Sequence, residues 1–286
     1  MNFGKSAVIV GLMVLASLIV FMLIRYSSLQ DRFLARVADE FQKQPLTVQD
    51  LLLPADIAHL PKPVRRYIEY SGSLNQPKLQ NLRITCSAEM VSKPNTAPMK
   101  AFSVQYNFYS SPSRIFFMKA SRAGLSFHAL HVYAQGKATF VVRVLSLFNI
   151  VDLAGEQLTQ AETVTVLNDL CVFAPAALID SRLTWKETGP LAAQVTFSNG
   201  PYKVSALLTF NTAGELVNFV SDDRAALQAD GSLRHARWST PLRHYQDFNG
   251  RKTAGYGEAI WHYPEGDFTY GKFTILDIQT NVKGEK

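Results

Sequence analysis

Two stretches of the chain, Asn81–Met90 (NLRITCSAEM) and Ala101–Tyr109 (AFSVQYNFY), decide the fold. In both, apolar and polar side chains alternate along the chain. A period of two sends successive side chains to opposite faces of a β-strand, and one apolar face beside one polar face is typical of antiparallel sheets. The two stretches therefore predict antiparallel strands, each with one face on the core and one face in water.

The same alternation continues downstream and predicts ten further strands. They are Arg114–Ala120, Ser126–Ala134, Ala138–Leu147, Ala193–Ser198, Tyr202–Phe210, Leu216–Ser221, Leu233–Trp238, Arg243–Phe248, Gly255–Tyr263 and Thr269–Thr280. Tight-turn pairs such as Gln135-Gly136, Asn199-Gly200 and Asn249-Gly250 separate many of these strands, and such pairs favour hairpins because they tolerate positive φ. Short connections between successive strands predict a meander.

Helical spacing of apolar residues occurs in three segments. Gln30–Gln44 ends at a proline, a second short helix begins near Pro63, and Gly155–Ile179 interrupts the meander. A curved sheet with this third helix across its mouth buries the apolar faces of both. The predicted fold class is therefore mainly β (α+β): an N-terminal transmembrane helix, then a curved antiparallel sheet, a half-barrel meander, with a central helix packed on it.

An uncharged apolar run, Ala7–Ile24, lies near the N-terminus. As a helix rising about 1.5 Å per residue it is near the lower limit for crossing a bilayer core of about 30 Å. A cleaved signal peptide is the competing interpretation, but Arg25 follows the run where small residues would form a cleavage site. The expected organisation is a transmembrane anchor over residues 1–28, a helical juxtamembrane segment over 29–76, and a β domain over 77–286 that contains the inserted helix 155–179.

Composition excludes several classes of protein. Apolar residues make up 47% and charged residues 18%, which is typical of a folded core and excludes a disordered chain. The net charge is +6, but the basic residues are scattered, so no nucleic-acid partner is expected. Cys86 and Cys171 do not form a CxxC motif, and they are interpreted as two buried thiols or, in an oxidising compartment, as a disulfide.

Motifs for catalysis and for cofactors are absent from the sequence: it has no GxSxG, P-loop, GxGxxG or HExxH. We therefore predict no catalytic residue and no cofactor. His128 and His131 are three residues apart in a predicted strand and point to opposite faces, so no metal site is predicted. The densest polar cluster lies late in the chain, at Asp223, Arg224, Arg237, Arg243 and His244. It is either a polar site of an enzyme or, the interpretation we favour, a set of cross-strand ion pairs on a solvated face.

Aromatic side chains crowd the first part of the predicted sheet. Core packing is the ordinary explanation, but a strongly curved sheet with large inward residues can enclose an apolar cavity. Alternation places the aromatic residues of Ala101–Tyr109 on one face, which is expected to line that cavity. The predicted ligand-binding residues are Phe102, Tyr106, Phe108, Phe117, Phe127, Trp238 and Tyr245.

Four segments in order resemble the bacterial family of unknown function DUF6544. They are LPKPVRRYIEYSG (60–72), VDLAGEQLTQAE (151–162), FAPAALIDSRLTW (173–185) and STPLRHYQDFNGRKTAGYGEAIWHYPEGDFTYGKFTI (239–275). The resemblance covers the chain from Leu60 to the C-terminus and implies no assigned activity. It implies a curved antiparallel sheet with helical elements, similar in outline to the half-barrels of bacterial lipoprotein carriers.

The leading functional hypothesis is a non-enzymatic, membrane-tethered domain that binds an apolar or lipid-like ligand, with a role in envelope maintenance. An enzyme using the late polar cluster and a ligand-free scaffold for a protein partner are the alternatives. The expected partners are the bilayer and the apolar ligand, and no protein partner is identified. The Lys/Arg count around the apolar run favours a cytoplasmic domain, whereas the likeness to carriers favours the extracytoplasmic side of a bacterial inner membrane, which we expect.

Overall fold

The computed structural model describes residues 3–25, 28–48, 50–228 and 231–285, without the side chains of residues 3–7 and 21–25. The helices are α1 (Phe3–Arg25), α2 (Leu29–Lys43), α3 (Pro54–Ile57), α4 (Lys62–Tyr70) and α5 (Glu156–Phe173), and a 3₁₀ turn, Pro175–Ala177, follows α5. The strands are β1 (Asn81–Met90), β2 (Met99–Phe108), β3 (Ser113–Arg122), β4 (Leu125–Ala134), β5 (Lys137–Val144), β6 (Phe148–Ala154), β7 (Leu183–Gly189), β8 (Ala192–Asn199), β9 (Tyr202–Phe210), β10 (Leu216–Ser221), β11 (Ala225–Leu227), β12 (Leu233–His235), β13 (Arg237–Phe248), β14 (Arg251–Tyr263) and β15 (Gly266–Thr280).

One open antiparallel sheet contains 13 of the described strands, in the order β6-β5-β4-β3-β2-β1-β15-β14-β13-β10-β9-β8-β7. The chain starts at the centre with β1, meanders outward to β6, crosses over through α5 to β7, and meanders back until β15 pairs with β1. The short strands β11 and β12 form a separate hairpin. The predicted meander is confirmed, with the central helix as its single crossover.

The sheet wraps around α5. Strands β5 and β9 are nine strand spacings apart in the sheet, which is about 43 Å in a flat sheet at about 4.8 Å per spacing. Both nevertheless contact α5, although a helix with its side chains is only about 10 Å wide. The sheet must therefore be strongly curved, with α5 on its concave side. We call the side that faces α5 the inner face and the opposite side the outer face.

Helix α2 covers part of the outer face. Ser28 caps it, because its side chain accepts a hydrogen bond from the Asp31 amide while the Asp31 carboxylate accepts one from the Ser28 amide. Leu29, Phe33 and Val37 are spaced by one turn each and are all buried. They pack on outer-face side chains of β2 to β5: Tyr106, Phe108, Ile115, Phe117, Leu130, Val132 and Val141.

The strand register assigns the aromatic residues of β2 to the side opposite to the one expected. In β1 the even-numbered residues face inward, and they pair with the odd-numbered residues of β2, as in Ile84 with Gln105. Ser103, Gln105 and Asn107 therefore lie on the inner face and are buried. The aromatic face of β2 lies outside, under α2. The expectation that the polar face lies in water is wrong here, because helices cover both faces of this part of the sheet.

Element boundaries follow the alternation where it is regular. Strands β1, β9 and β10 and the helices α2, α4 and α5 lie where the sequence predicts them. The edge strands β6 and β7 were not predicted, because β6 (FNIVDLA) and β7 (LTWKETG) lack clean alternation. The predicted strand Leu233–Trp238 is divided between β12 and the first residues of β13. Strand β13 then continues through Pro241, which pairs opposite Asn218 of β10, into the predicted strand Arg243–Phe248.

Helix α1 occupies most of the predicted anchor, of which residues 1–2 and 26–27 lie outside the described ranges. Its described apolar side chains are exposed, for example Leu12 at 61%. Among the residues that the structure describes, no helix is long and apolar enough to cross a membrane. Cys86 and Cys171 are buried free thiols.

Candidate functional site

A buried charged network lies between α5 and the inner face of the sheet. Asp169 and Glu162 are seven residues apart in α5, so they project from the same side of the helix toward the sheet. The Asp169 carboxylate accepts hydrogen bonds from Arg114 Nε of β3 at 2.6 Å and from Gln105 Nε2 of β2 at 2.7 Å. Gln105 Oε1 in turn accepts from Arg114 at 3.0 Å. The charge of Asp169 is therefore compensated inside the fold.

His131 of β4 connects this pair to Glu162. Its Nδ1 lies 3.2 Å from an Arg114 guanidinium nitrogen, and its Nε2 lies 3.2 Å from Glu162 Oε2. Arginine can only donate, so Nδ1 accepts and the ring proton of the neutral imidazole is on Nε2, facing the carboxylate. If Nδ1 were protonated, its N–H would face an N–H of Arg114, and neither group could accept a hydrogen bond from the other. The arrangement therefore selects the neutral tautomer.

Arg224 completes the network on the other arm of the sheet. Its guanidinium lies 3.4 Å from Glu162 Oε1 and donates to the Tyr270 hydroxyl at 3.0 Å. It also lies over the rings of Trp238, at 4.1 Å, and Trp261, at 5.3 Å. Stacking on two indoles stabilises a desolvated guanidinium. The network thus joins both arms of the sheet through one side of α5.

Burial and neighbouring charges set the protonation states of the network. Burial lowers the pKa of His131 to about 4; Glu162 opposes this, while Arg114 and Arg224 reinforce it. Burial by itself would raise the pKa of Glu162, but His131, Arg224 and Arg114 outweigh it and hold that pKa well below its ordinary value. At neutral pH the network contains two arginines, two carboxylates and a neutral histidine, so its formal charges cancel.

Stability is expected to fall as the pH drops through the range set by His131. The folded-state pKa is about 4 and the unfolded value is about 6.5, so the unfolded chain alone takes up a proton in this range. The contribution of the neutral imidazole is complete above about pH 6.5 and is lost progressively toward pH 4, by on the order of 2–3 kcal/mol. Urea unfolding of His131→Gln at pH 7 and pH 4.5 should show a shallower pH dependence than the wild type. An unchanged dependence would contradict the assignment.

A second inner-face feature is an apolar surface that α5 leaves open. We define the upper end of the strands as the end where β2 finishes at Phe108. Helix α5 crosses the inner face near this end, because Asp169 accepts from Arg114 and Thr159 accepts from the Ala138 amide there. Toward the lower end, where β1 finishes at Met90, a separate apolar cluster lies on the inner face of β1 to β4 and β15. This apolar floor consists of Ala88, Met90, Met99, Ala101, Phe116, Met118, Ala120, Phe127, Ala129 and Phe273.

The apolar floor is a partly exposed surface. Met90, Met99, Phe116, Phe127 and Phe273 are only partly buried. Methionine and phenylalanine side chains adapt their shape and are common on surfaces that bind apolar molecules. A recess beside the upper end of α5, lined by Asn107 and Arg114 among others, has a volume of about 10 Å³, which holds no more than about one water molecule. An apolar ligand would not fit this recess.

The predicted ligand-binding residues are distributed over both faces. Tyr106, Phe108 and Phe117 lie under α2, and Phe102 is 45% exposed on the same outer face. Phe127 belongs to the apolar floor, and Trp238 lies under Arg224. Tyr245 donates from its hydroxyl to the Leu216 carbonyl at 2.9 Å. The structure therefore does not bring these seven side chains together.

The late polar cluster does not converge either. Arg237 pairs with Asp222 at 2.8 Å, and Arg243 with Glu258 at 2.7 Å, both near the surface. Asp223 accepts from the Ser205 amide at 2.7 Å, and the exposed His244 contacts Tyr256 edge to face. Arg224 alone points into the buried network. Within the described ranges, no group of three or more His, Cys, Asp or Glu side chains could hold a metal ion.

Sequence reasoning missed most of the network. Arg114, Glu162 and Asp169 were not singled out from the sequence. A signal was nevertheless present, because the two acids lie two turns apart and are the only charged residues of α5 after Glu156. His128 and His131 lie on opposite faces, as alternation predicts, with His128 against Phe117 outside and His131 inside. The sequence could not identify Arg114 as a partner of these acids, because the pairing depends on which face of β3 packs against α5.

Comparison with known proteins places the chain in a family. A model of the family of unknown function DUF6544 matches residues 51–273. The chain belongs to the DUF6544 family. The matched range includes α3 to α5, the whole charged network and the apolar floor, and the resemblance deduced from the four sequence segments is confirmed. No curated protein matches the chain.

Two solved structures are similar to this DUF6544 protein in fold outline. One is a domain described as that of an outer membrane lipoprotein-sorting protein from Vibrio parahaemolyticus, with 8% sequence identity, a TM-score of 0.42, and coverage of 72% of this chain and 88% of that chain. The other is a LolA superfamily protein from Nitrosomonas europaea, with 8% identity, a TM-score of 0.40, and coverage of 77% and 94%.

Proposed function

We propose that this DUF6544 protein is a non-enzymatic, membrane-anchored domain that binds an apolar or lipid-like ligand on its apolar floor. The observation that carries the proposal is the floor itself: a concave surface of partly exposed methionine and phenylalanine side chains beside a buried network. Contiguous exposed apolar surface on a folded domain marks a binding site more often than it marks chance. The floor lies on the concave side of the sheet, and a concave surface favours a small ligand over a flat protein partner.

The nearby charged network supports a binding role over catalysis. Its carboxylates and guanidinium groups are paired with one another and packed under α5. A catalytic acid or base must reach a substrate proton within hydrogen-bond distance, whereas these groups are buried beneath α5. The network therefore fixes α5 against both arms of the sheet and so holds the floor open at the lower end.

The anchor is part of the proposal. The run Ala7–Ile24 is uncharged, and the described apolar side chains of α1 are exposed. A bilayer would remove this surface from water while the helix satisfies its own backbone groups. We place the domain on the extracytoplasmic side of a bacterial inner membrane, with a role in envelope maintenance. A C-terminal alkaline phosphatase fusion should then be active, and an inactive fusion would reverse the side.

Photocrosslinking tests the ligand. p-Benzoylphenylalanine replacing Phe127 on the floor should capture a lipid-sized adduct in cells, detected by mass spectrometry of the purified full-length chain. The control is the same replacement at Leu207, which is 42% exposed and adjoins the inward-facing Leu208 of β9, so that it points outward. A protein adduct at Phe127, or equal lipid adducts at both positions, would reject the proposal in favour of a scaffold or of random contact with the bilayer.

A further inference from the structure

Three turns at the lower end of the sheet form a surface with unusual exposure of apolar residues. Because β1 to β6 are successive antiparallel strands, the β1–β2, β3–β4 and β5–β6 connections all lie at this end. We call this end of β1 to β6 the lower rim. Its exposed large apolar side chains are Phe102 (45%), Leu125 (45%), Leu145 (47%), Leu147 (39%), Phe148 (62%) and Ile150 (55%).

The turn between β5 and β6 holds a leucine where a water-facing hairpin favours glycine or asparagine. Leu145 and Ser146 have φ values of 54° and 61°, the left-handed region that side chains with a Cβ rarely adopt. Two other hairpins use Gln135-Gly136 and Asn249-Gly250 in the corresponding conformation. A strained, exposed leucine thus lies at a hairpin tip against local preference, and such strain points to a binding role of the side chain.

Basic residues surround the apolar tips. Lys93, Lys100, Lys119 and Arg122 are exposed at or near the lower rim. Glu89, also exposed, is flanked across the strands by Lys100 and Lys272. The rim therefore combines apolar tips with a net positive charge. This combination fits the interface of a bilayer that contains anionic lipids, where apolar side chains enter the headgroup region and Lys and Arg contact the phosphates.

Helix α2 lies along the outer face with its N-terminus toward the lower rim. Phe33 contacts Phe117, which pairs with Val104, and Phe41 contacts Phe108. The eight residues from Phe33 to Phe41 rise about 12 Å as a helix, and the four from Val104 to Phe108 about 14 Å as a strand. The near agreement shows that α2 runs along the strands, with its N-terminus toward the lower end.

Distances along the chain then limit where α1 can end. The strand from Phe117 to Arg122 extends about 17 Å toward the rim. Of this distance toward the rim, the part of α2 between Phe33 and its cap at Ser28 spans about 7 Å. The three residues from Ser28 back to Arg25 can span at most about 11 Å more. Arg25, at the end of α1, can therefore lie level with the tips of the lower rim.

We propose that the lower rim docks onto the bilayer that holds α1, with Leu145, Leu147 and Phe148 in the headgroup region and the surrounding lysines on anionic phosphates. The inference rests on the proposed anchor and goes beyond it, because an anchor alone leaves the domain free to tumble on its linker. Docking turns the lower end of the apolar floor, at Met90, Met99 and Phe127, toward the bilayer. A lipid could then pass between membrane and floor without crossing water.

Site-specific quenching tests the docking in the full-length chain. The protein is reconstituted into phosphatidylcholine vesicles with and without phosphatidylglycerol, and Leu147→Cys carries a bimane label. Gln135→Cys, in the β4–β5 turn at the opposite end, is the matched control, and the native Cys86 and Cys171 are buried and should not react. Brominated lipids should reduce the emission at Leu147→Cys by on the order of twofold and leave Gln135→Cys unchanged. Adding Lys100→Glu and Lys119→Glu should weaken the quenching in the anionic vesicles.

Each outcome has a distinct meaning. Protein that floats with the vesicles but shows equal emission at both positions contradicts docking and leaves the anchor intact. Protein that does not float contradicts both the anchor and a membrane-binding rim. Bimane at Leu147→Cys that is shielded from lipid, together with disulfide-linked dimers of the unlabelled Leu147→Cys protein after oxidation with copper phenanthroline, would show that edge strand β6 pairs with a second copy, and this would also overturn the proposal.

Discussion

Arg114→Leu is expected to destabilise the domain by about 3–5 kcal/mol, the usual effect of removing one partner from a buried ion pair. The variant leaves the Asp169 carboxylate, whose side chain is 7% exposed, without its 2.6 Å partner. It also removes the donor that fixes the His131 tautomer. Urea unfolding followed by circular dichroism measures the change as a lower midpoint with an unchanged slope.

Two comparisons make this first prediction specific. Arg237→Ala breaks the exposed pair with Asp222, whose side chains are 59% and 67% exposed, and should leave the midpoint unchanged. The double variant Arg114→Leu with Asp169→Leu removes both charges and should recover much of the loss, because no uncompensated charge remains buried. A single variant as stable as the wild type, or a double variant no better than the single, would show that the pair is not a buried charge pair in solution.

Tyr106→Ala is expected to destabilise the domain by about 3–5 kcal/mol, as large aromatic truncations in packed cores do. The Tyr106 side chain is 1% exposed, with its ring 6.0 Å from that of Phe33 and 5.9 Å from that of Phe41. Truncation would leave a cavity between β2 and α2 that neither rigid element can close. Thermal or urea unfolding of the full-length chain measures the loss.

Phe102→Ala is the matched control on the same strand and the same face. Phe102 is 45% exposed and is not among the side chains that pack with α2, so its truncation should change stability by under about 1 kcal/mol. From the sequence, the face shared by Phe102 and Tyr106 was expected to line a ligand cavity, where truncating Tyr106 would affect stability only weakly. A small loss for Tyr106→Ala would restore that interpretation and would mean that α2 is detached in solution.

The sequence by itself determined the elements whose pattern depends on neighbours along the chain. Alternation marked β1, β9 and β10, tight-turn pairs marked the hairpins, and the spacing of Phe33 and Val37 marked the apolar side of α2. These signals are local, because the geometry of a strand, a turn or a helix repeats every two to four residues. Edge strand β6 was not predicted, because it lacks clean alternation and its hairpin turn, Leu145-Ser146, contains neither glycine nor asparagine.

Only the tertiary structure decided which face of the sheet meets which helix. Alternation shows that Tyr106 and Gln105 point in opposite directions, but both faces of β2 are covered, one by α2 and the other by α5. Which side chain lies inside depends on the curvature of the sheet and on the crossover, both of which join residues far apart in the chain. For the same reason the sequence could not pair Arg114 with Asp169 or separate Phe127 on the floor from Phe117 under α2. Long-range packing, and not local pattern, placed the buried network and the apolar floor.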